Sequence, residues 1–283
     1  MAASARRSFA CTAVSRAAAQ VQISVKPHSH GRKVVTLTVE DEKKLNILSR
    51  STLEDLVEAV KEADAQNPNV IVITGAGDRA FAVGANIKEM AAIQGPDEAE
   101  AFIRRLQKVG DTIRKADSVV IARVNGICLG GALEVAASAD LRIASDNATF
   151  AMPEVHLAIP SVIESALLPG LIGWGKARRL LFLGERISAE EALKWNLIEK
   201  VAPQAQLDEA LDEWLELLCR SPRETLKTQK RLHSYWERHD VDENIEESIR
   251  VFRTAFTKQE GEQESMASSG MRRFLEANQR KAK

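Results

Sequence analysis

"LGGALEVAASADLRIASDNATFAMPE", Leu129 to Glu154, places two glycines before an alanine-rich run and ends on a glutamate behind a proline. Glu134 stands one turn into that run, among Ala132, Leu133, Val135, Ala136 and Ala137. A lone carboxylate in such company is expected in the interior or in a cleft. Burial raises a carboxyl pKa towards neutrality, which suits proton transfer. No Lys or Arg stands close by in sequence to suggest a simple ion pair. Glu154 follows Met152 and Pro153, where proline stiffens the chain, and precedes the apolar Val155, Leu157 and Ile159. The two glutamates are either separate charges or the two halves of one acid–base pair.

Around this stretch the chain alternates strand and helix signals. "KVVTLTVE" (33–40), "NVIVITGAG" (69–77) and "SVVIARVNG" (118–126) are β-branched runs, the last two ended by glycine and typical of buried strands. Leu53, Leu56, Val57 and Val60 have the spacing of an amphipathic helix, with Ser51 as its expected cap. A second helix is expected over about Asp97 to Ala116. "LRIASDNATFAMPE" is expected to form two short strands around an Asp-Asn turn. Ser188 and Glu191 form a capping box, and everything after Leu207 has helical character. The order argues for an α/β core with largely parallel pairing, followed by helices.

Gly75, Gly77 and Ala80 match the G-x-G-x-x-A dinucleotide fingerprint, which would imply hydride transfer. That fingerprint needs a helix opening at its third small residue, and Gly84 and Asn86 interrupt any such helix. The alternative is a pair of loops, Phe81–Asn86 and Gly126–Gly131, each following a buried strand and each aiming a main-chain N–H at a common point. Gly130-Gly131 at a helix start leaves N–H groups unpaired and lets a ligand oxygen approach. Two such donors make an oxyanion hole, worth several kcal/mol to a reaction passing through an enolate. Tight packing of a helix start against a sheet would also account for the glycine pair.

Composition narrows the classes. The chain has 283 residues, 45% apolar, a formal net charge of −1 and 5% aromatics, which disfavours a nucleic-acid partner. Its three cysteines, Cys11, Cys128 and Cys219, have neither disulfide nor metal spacing. His28 and His30 lack nearby acidic or thiol partners, so no metal site is expected. The most apolar run, Val119 to Leu141, contains Arg123, Asn125 and Glu134 and reads as soluble interior, with no membrane span. Residues 1–20 carry Arg6, Arg7 and Arg16, and the first acidic residue of the chain is Glu40. Such a segment fits either a mitochondrial transit peptide or a disordered tail. The terminal "QRKAK" matches no peroxisomal or ER-retention signal, and cytoplasmic or peroxisomal residence is the alternative.

At these residues the sequence resembles the enoyl-CoA hydratase/isomerase (crotonase) superfamily. The matching segments are "FAVGANIKEM", "VNGICLGGALEVAASADLRIASDNATFAMPE", "LGERISAEEALKWNLIEKVAP" and "GMRRFLEANQRK". The resemblance implies a spiral of ββα units over 21–206 carrying the acyl-CoA site. A helical trimerisation region follows over 207–283, giving a homotrimer or a dimer of trimers. It implies that Ala85 and Gly131 supply the two oxyanion-hole amides and that Glu134 and Glu154 are the catalytic carboxyls. The activity implied is hydration of a 2-enoyl-CoA in fatty-acid or specialised acyl-CoA metabolism, with no metal or redox cofactor. An isomerase or dehydratase of the same fold, and a non-catalytic RNA-binding or assembly homologue, are the alternatives. The resemblance places Lys43, Lys44, Leu45, Ala82, Gly84, Asn86, Ile87, Gly130, Phe256 and Phe274 near substrate or CoA, with Ala82 facing the adenine. Two departures stand out. "IPSVIESALLPG" (159–170) replaces a glycine-rich stretch, bringing Ser161, Val162 and a third acid, Glu164, towards the acyl pocket. Ala277 stands where a CoA-contacting Lys is common.

Overall fold

The computed structural model describes residues 12–14, 20–258, 261 and 263–281. Most of the basic segment 1–20 therefore lies outside the described residues, as does the side chain of Ala277. Two compact units divide at Lys227/Thr228.

The first unit opens with β1 (Thr12–Val14), β2 (Val21–Pro27), β3 (Lys33–Val39) and helix α1 (Arg50–Ala65). It continues through β4 (Val70–Gly75), β5 (Ala80–Ala82), the short α2 (Ile87–Ala91) and α3 (Pro96–Lys115). Next come β6 (Val119–Val124), β7 (Ile127–Leu129), α4 (Gly131–Ala137), β8 (Leu141–Ser145) and β9 (Thr149–Ala151). Helix α5 (Leu168–Leu183), β10 (Ile187–Ser188), α6 (Ala189–Lys194), β11 (Lys200–Ala202) and α7 (Leu207–Arg220) complete it. Helix α8 (Arg223–Trp236) runs into the second unit, which holds α9 (Val241–Ala255) and α10 (Met266–Lys281). No helix among the described residues is long and apolar enough to cross a membrane.

Successive β-β-α passes build two sheets. The first strands of the passes join a seven-stranded sheet, ordered β1-β2-β3-β4-β6-β8-β11 and parallel from β3 onward. The second strands form a four-stranded sheet, ordered β10-β9-β7-β5, in which β5, β7 and β9 run parallel. The strands expected around the Asp-Asn turn exist, but they are not neighbours: β8 belongs to the large sheet and β9 to the small one. Alternation along the large sheet separates two cores. Val35, Leu37, Ile71, Ile73, Val120 and Ala122 pack with α1, α3 and α4, while Val34, Val70, Val72, Ile121 and Ile143 face α7. Helix α7 closes that second face, so Leu207 to Lys227 goes with the sheets and the helical region beginning at Leu207 is divided. Helix α1 is capped by Ser49, whose side chain accepts from Thr52 N, and not by Ser51 as expected. Ser188 accepts from Glu191 N as its capping box requires.

Candidate active site

The site is built at the carboxyl ends of three adjacent parallel strands of the small sheet. The loop Val83–Asn86 leaves β5, Gly130-Gly131 leaves β7, and Met152-Pro153-Glu154 leaves β9. Parallel strands deliver their carboxyl ends to one edge, which is why segments 70 residues apart in sequence meet there.

The turn from β4 into β5, ahead of the first loop, is held by two buried asparagines. Asn125 donates to the carbonyls of Gly75 (2.9 Å), Gly77 (2.8 Å) and Ala80 (3.1 Å) and accepts from Gly75 N (3.2 Å). Asn46 donates to the carbonyls of Ala76 (3.0 Å) and Ala80 (2.8 Å). Neither role had a local signal in the sequence: Asn125 before Gly126 suggests only a turn, and Asn46 stands between Leu45 and Ile47. After Gly77 the chain enters strand β5, and no helix opens at Ala80, so the dinucleotide fingerprint is not formed. Beyond β5, Leu48 N donates to Gly84 O (2.9 Å) and Asn86 N donates to Leu48 O (3.1 Å). In this parallel bridge the flanking residues turn to Leu48, so the Ala85 N–H points the other way. Gly84 (φ +86°) packs on the second loop: a Cβ there would lie 2.7 Å from Leu129 O and 3.5 Å from Gly131 N.

In the second loop, Gly130 N donates to Ala151 O (2.9 Å), and Gly130 O accepts from Leu133 N (2.8 Å) and Glu134 N (3.2 Å). Gly131 is the first residue of α4, so its N–H precedes every intrahelical acceptor. Neither the Ala85 nor the Gly131 N–H has a partner among the described residues. Two unspent amides thus stand on adjoining loops.

The carboxyls flank them. Gly130 (φ +54°) has a glycine's freedom and needs it, because a Cβ would collide with Glu154 Oε1. Glu154 Oε2 accepts from Ser161 Oγ (3.1 Å). Glu134 is 4% exposed, and its Oε1 accepts from both Ser165 N (3.0 Å) and Ser165 Oγ (2.7 Å). Its Oε2 meets no protein donor among the described residues. Burial pushes the Glu134 carboxyl up to about 8 against the two Ser165 bonds, with the charges of Glu154 and Glu164 adding to the rise. Burial also raises Glu154, opposed by its own backbone N–H and by Ser161. Desolvation thus raises both carboxyls, and the Glu154 charge disfavours ionisation of Glu134.

The remaining candidates divide. Lys43 and Lys44 lie in an exposed 3₁₀ turn beside the first loop, since Leu45 O accepts from Val83 N (3.2 Å). Lys44 Nζ is held by Asp41 at 3.2 Å. Asn86 caps α2 by accepting from Lys88 N, and Ile87 opens that helix with its side chain exposed. Ala82 is 1% exposed and packed in the core, so the expected face towards an adenine is not offered by its side chain. Phe256 and Phe274 belong to the second unit, 42% and 66% exposed. Glu164 is buried, and it points to α3, where Arg114 Nη1 donates to its Oε1 at 2.7 Å. Ser165, Gly110 and Arg114 carried no signal in the sequence because their roles depend on contacts some 30 to 50 residues distant.

A fold of β-β-α passes with two free amides and two carboxyls at the strand ends defines a thioester-binding class. Residues 29–283 match the enoyl-CoA hydratase/isomerase family, and the chain belongs to it. It is 32% identical to the short-chain-enoyl-CoA hydratase of Clostridium acetobutylicum over 81% of this chain and 88% of that protein. It is likewise 32% identical to the crotonyl-CoA hydratase of Syntrophomonas wolfei, over 86% and 92% respectively. The crystal structure of an enoyl-CoA hydratase from Bacillus anthracis superposes with a TM-score of 0.75 at 30% identity, covering 82% of this chain and 89% of that one.

Proposed function

We propose that this chain adds water to the double bond of a 2-enoyl-CoA thioester, giving a 3-hydroxyacyl-CoA by syn addition. The observation that carries this reading is the seat of Glu154 Oε1 on Gly130, next to the Gly131 amide, with Glu134 one turn along the same helix. The Ala85 and Gly131 N–H groups receive the thioester oxygen and stabilise its enolate form. Glu134, ionised and oriented by Ser165, takes a proton from water as the water oxygen bonds to C3. Glu154 gives its proton to C2 from the same face, and exchange with solvent resets the pair. The cycle needs one proton on the pair, carried by Glu154 when water attacks.

CoA is part of the substrate, and the chemistry calls for no separate cofactor. Lys43 and Lys44 remain candidates for its nucleotide end. An exposed apolar row on α9, Val241, Ile245, Ile249 and Phe252, supports assembly of a homotrimer or paired trimers. The acid-free composition of 1–20 supports mitochondrial delivery, and a fluorescent fusion of those residues that stays diffuse rejects it.

The test follows the absorbance of the conjugated thioester with crotonyl-CoA and longer 2-enoyl-CoAs. The wild type is expected to turn over, and Glu134→Gln or Glu154→Gln to lose on the order of a hundredfold or more. Inertness towards all of them, with double-bond migration in a 3-enoyl-CoA, replaces hydration by isomerisation. RNA binding with no thioester turnover overturns both.

A further inference from the structure

The segment that departs from the family pattern carries the strongest unused observations. Ile163, a β-branched residue, sits at φ +45°, in the left-handed region such residues avoid. Glu164 and Ser165 follow it in a 3₁₀ turn, Ile163–Leu167, and both are buried. A strained turn persists only where its surroundings over-determine it. Here two anchors hold it on opposite sides. Ser165 donates its N–H and its hydroxyl to Glu134 Oε1, and Glu164 receives Arg114 from α3.

The fit on α3 is close. A Cβ on Gly110 would lie 2.5 Å from Glu164 Cδ, 2.7 Å from its Cγ and 2.7 Å from its Oε1. A larger residue at 110 would force the Glu164 side chain to shift. One turn further on, Arg114 Nη1 meets Oε1 at 2.7 Å, and one turn earlier Leu106 presses on Gly131. A single face of α3 therefore touches both the oxyanion-hole residue and the support of Glu134. Glu164 Oε2 is buried with no hydrogen-bond partner, so Arg114 is the one cation that compensates this carboxylate among the described residues.

We propose that Arg114 and Glu164 are positioning residues for hydration: their ion pair ties the Ile163–Leu167 turn to α3 and thereby holds Ser165 on the oxygen of Glu134. This rests on the reading of Glu134 as the general base. The ionisable groups around that base are Glu154 from the β9 loop, Glu164 from the turn, and behind Glu164 the Arg114 and Asp111 side chains of α3. Ser165 favours the ionised form of Glu134, whereas the Glu164 charge opposes it. Arg114 neutralises that opposing charge.

The experiment measures kcat, KM and the acid limb of the kcat/KM–pH profile for Ser165→Ala, Glu164→Gln, Arg114→Met, Arg114→Lys and the double variant Arg114→Met/Glu164→Gln. Ser165→Ala is expected to lower kcat by about tenfold to a hundredfold with KM little changed, and to move the acid limb to higher pH. Arg114→Met is expected to move it the same way, Arg114→Lys to recover part of the loss, and the double variant, which lacks the same tie, to stay displaced. Unmoved limbs in folded Ser165→Ala and Arg114→Met, or a double variant whose limb returns to its wild-type position, overturn the proposal. The Glu134 carboxyl is also titrated directly, through the ¹³C carboxyl resonance that Glu134→Gln removes. A wild type inert on every thioester defeats the hydratase reading, and the direct titration in the same variants then decides whether the pair governs Glu134.

Discussion

Replacing Glu134 by Gln should abolish most activity and yet stabilise the fold, in a strictly pH-dependent way. The carboxyl is 4% exposed and held by Ser165 alone among hydrogen-bond donors described. Below pH 4.5 it is protonated whether the chain is folded or unfolded. Between 4.5 and about 8 the folded chain keeps the proton and the unfolded chain releases it. Folded stability contributed by this group is therefore complete below pH 4.5 and is lost as pH rises through about 8. At 1.36 kcal/mol per decade, the rise corresponds to on the order of 5 kcal/mol between neutral and charged forms, an upper bound once the site relaxes. Gln mimics the neutral form at every pH. With about 2–4 °C per kcal/mol for a chain of this size, Glu134→Gln should melt roughly 5–15 °C above wild type at pH 9. Near pH 5 the two should melt within a few degrees of each other. Calorimetric scans of both proteins across that pH range read this directly. A Tm difference that does not change with pH would refute the burial that raises the Glu134 carboxyl to about 8.

Two further outcomes follow from the loops. Gly130→Ala places a methyl into Glu154 Oε1 at φ +54°, so hydration should fall at least about a hundredfold, with lowered Tm; steady-state kinetics beside melting curves check it. Asn125→Ala strips the donors from Gly75 O, Gly77 O and Ala80 O at a fully buried position, so urea unfolding should show a loss of about 3 kcal/mol.

The fold was legible wherever a run of residues carried its own period. The strands 33–40, 69–77 and 118–126 and the helices around Leu53 and Asp97 to Ala116 stand where their patterns place them. The two glutamates and two glycine loops were also legible, because a carboxylate in an apolar run and a glycine pair at a helix start are local anomalies. What the residues could not carry alone was their convergence. That depends on β5, β7 and β9 becoming parallel neighbours in a second sheet, a long-range pairing with no local signature. The separation of β8 from β9 was hidden for the same reason. Ala82 illustrates the opposite limit: a sequence match located it beside the right loop but could not tell an inward from an outward side chain on a three-residue strand. Ser165 is an ordinary serine until Glu134, 31 residues earlier, is folded against it.

The central claim is that two main-chain amides grip a thioester carbonyl between two carboxyl groups. A crystal structure of the chain with an unreactive saturated acyl-CoA tests it most directly. The predicted result is a thioester oxygen about 3 Å from both the Ala85 and Gly131 nitrogens, with Glu134 and Glu154 facing the acyl C3 and C2. A thioester bound elsewhere, or one whose oxygen turns away from those amides, would contradict it.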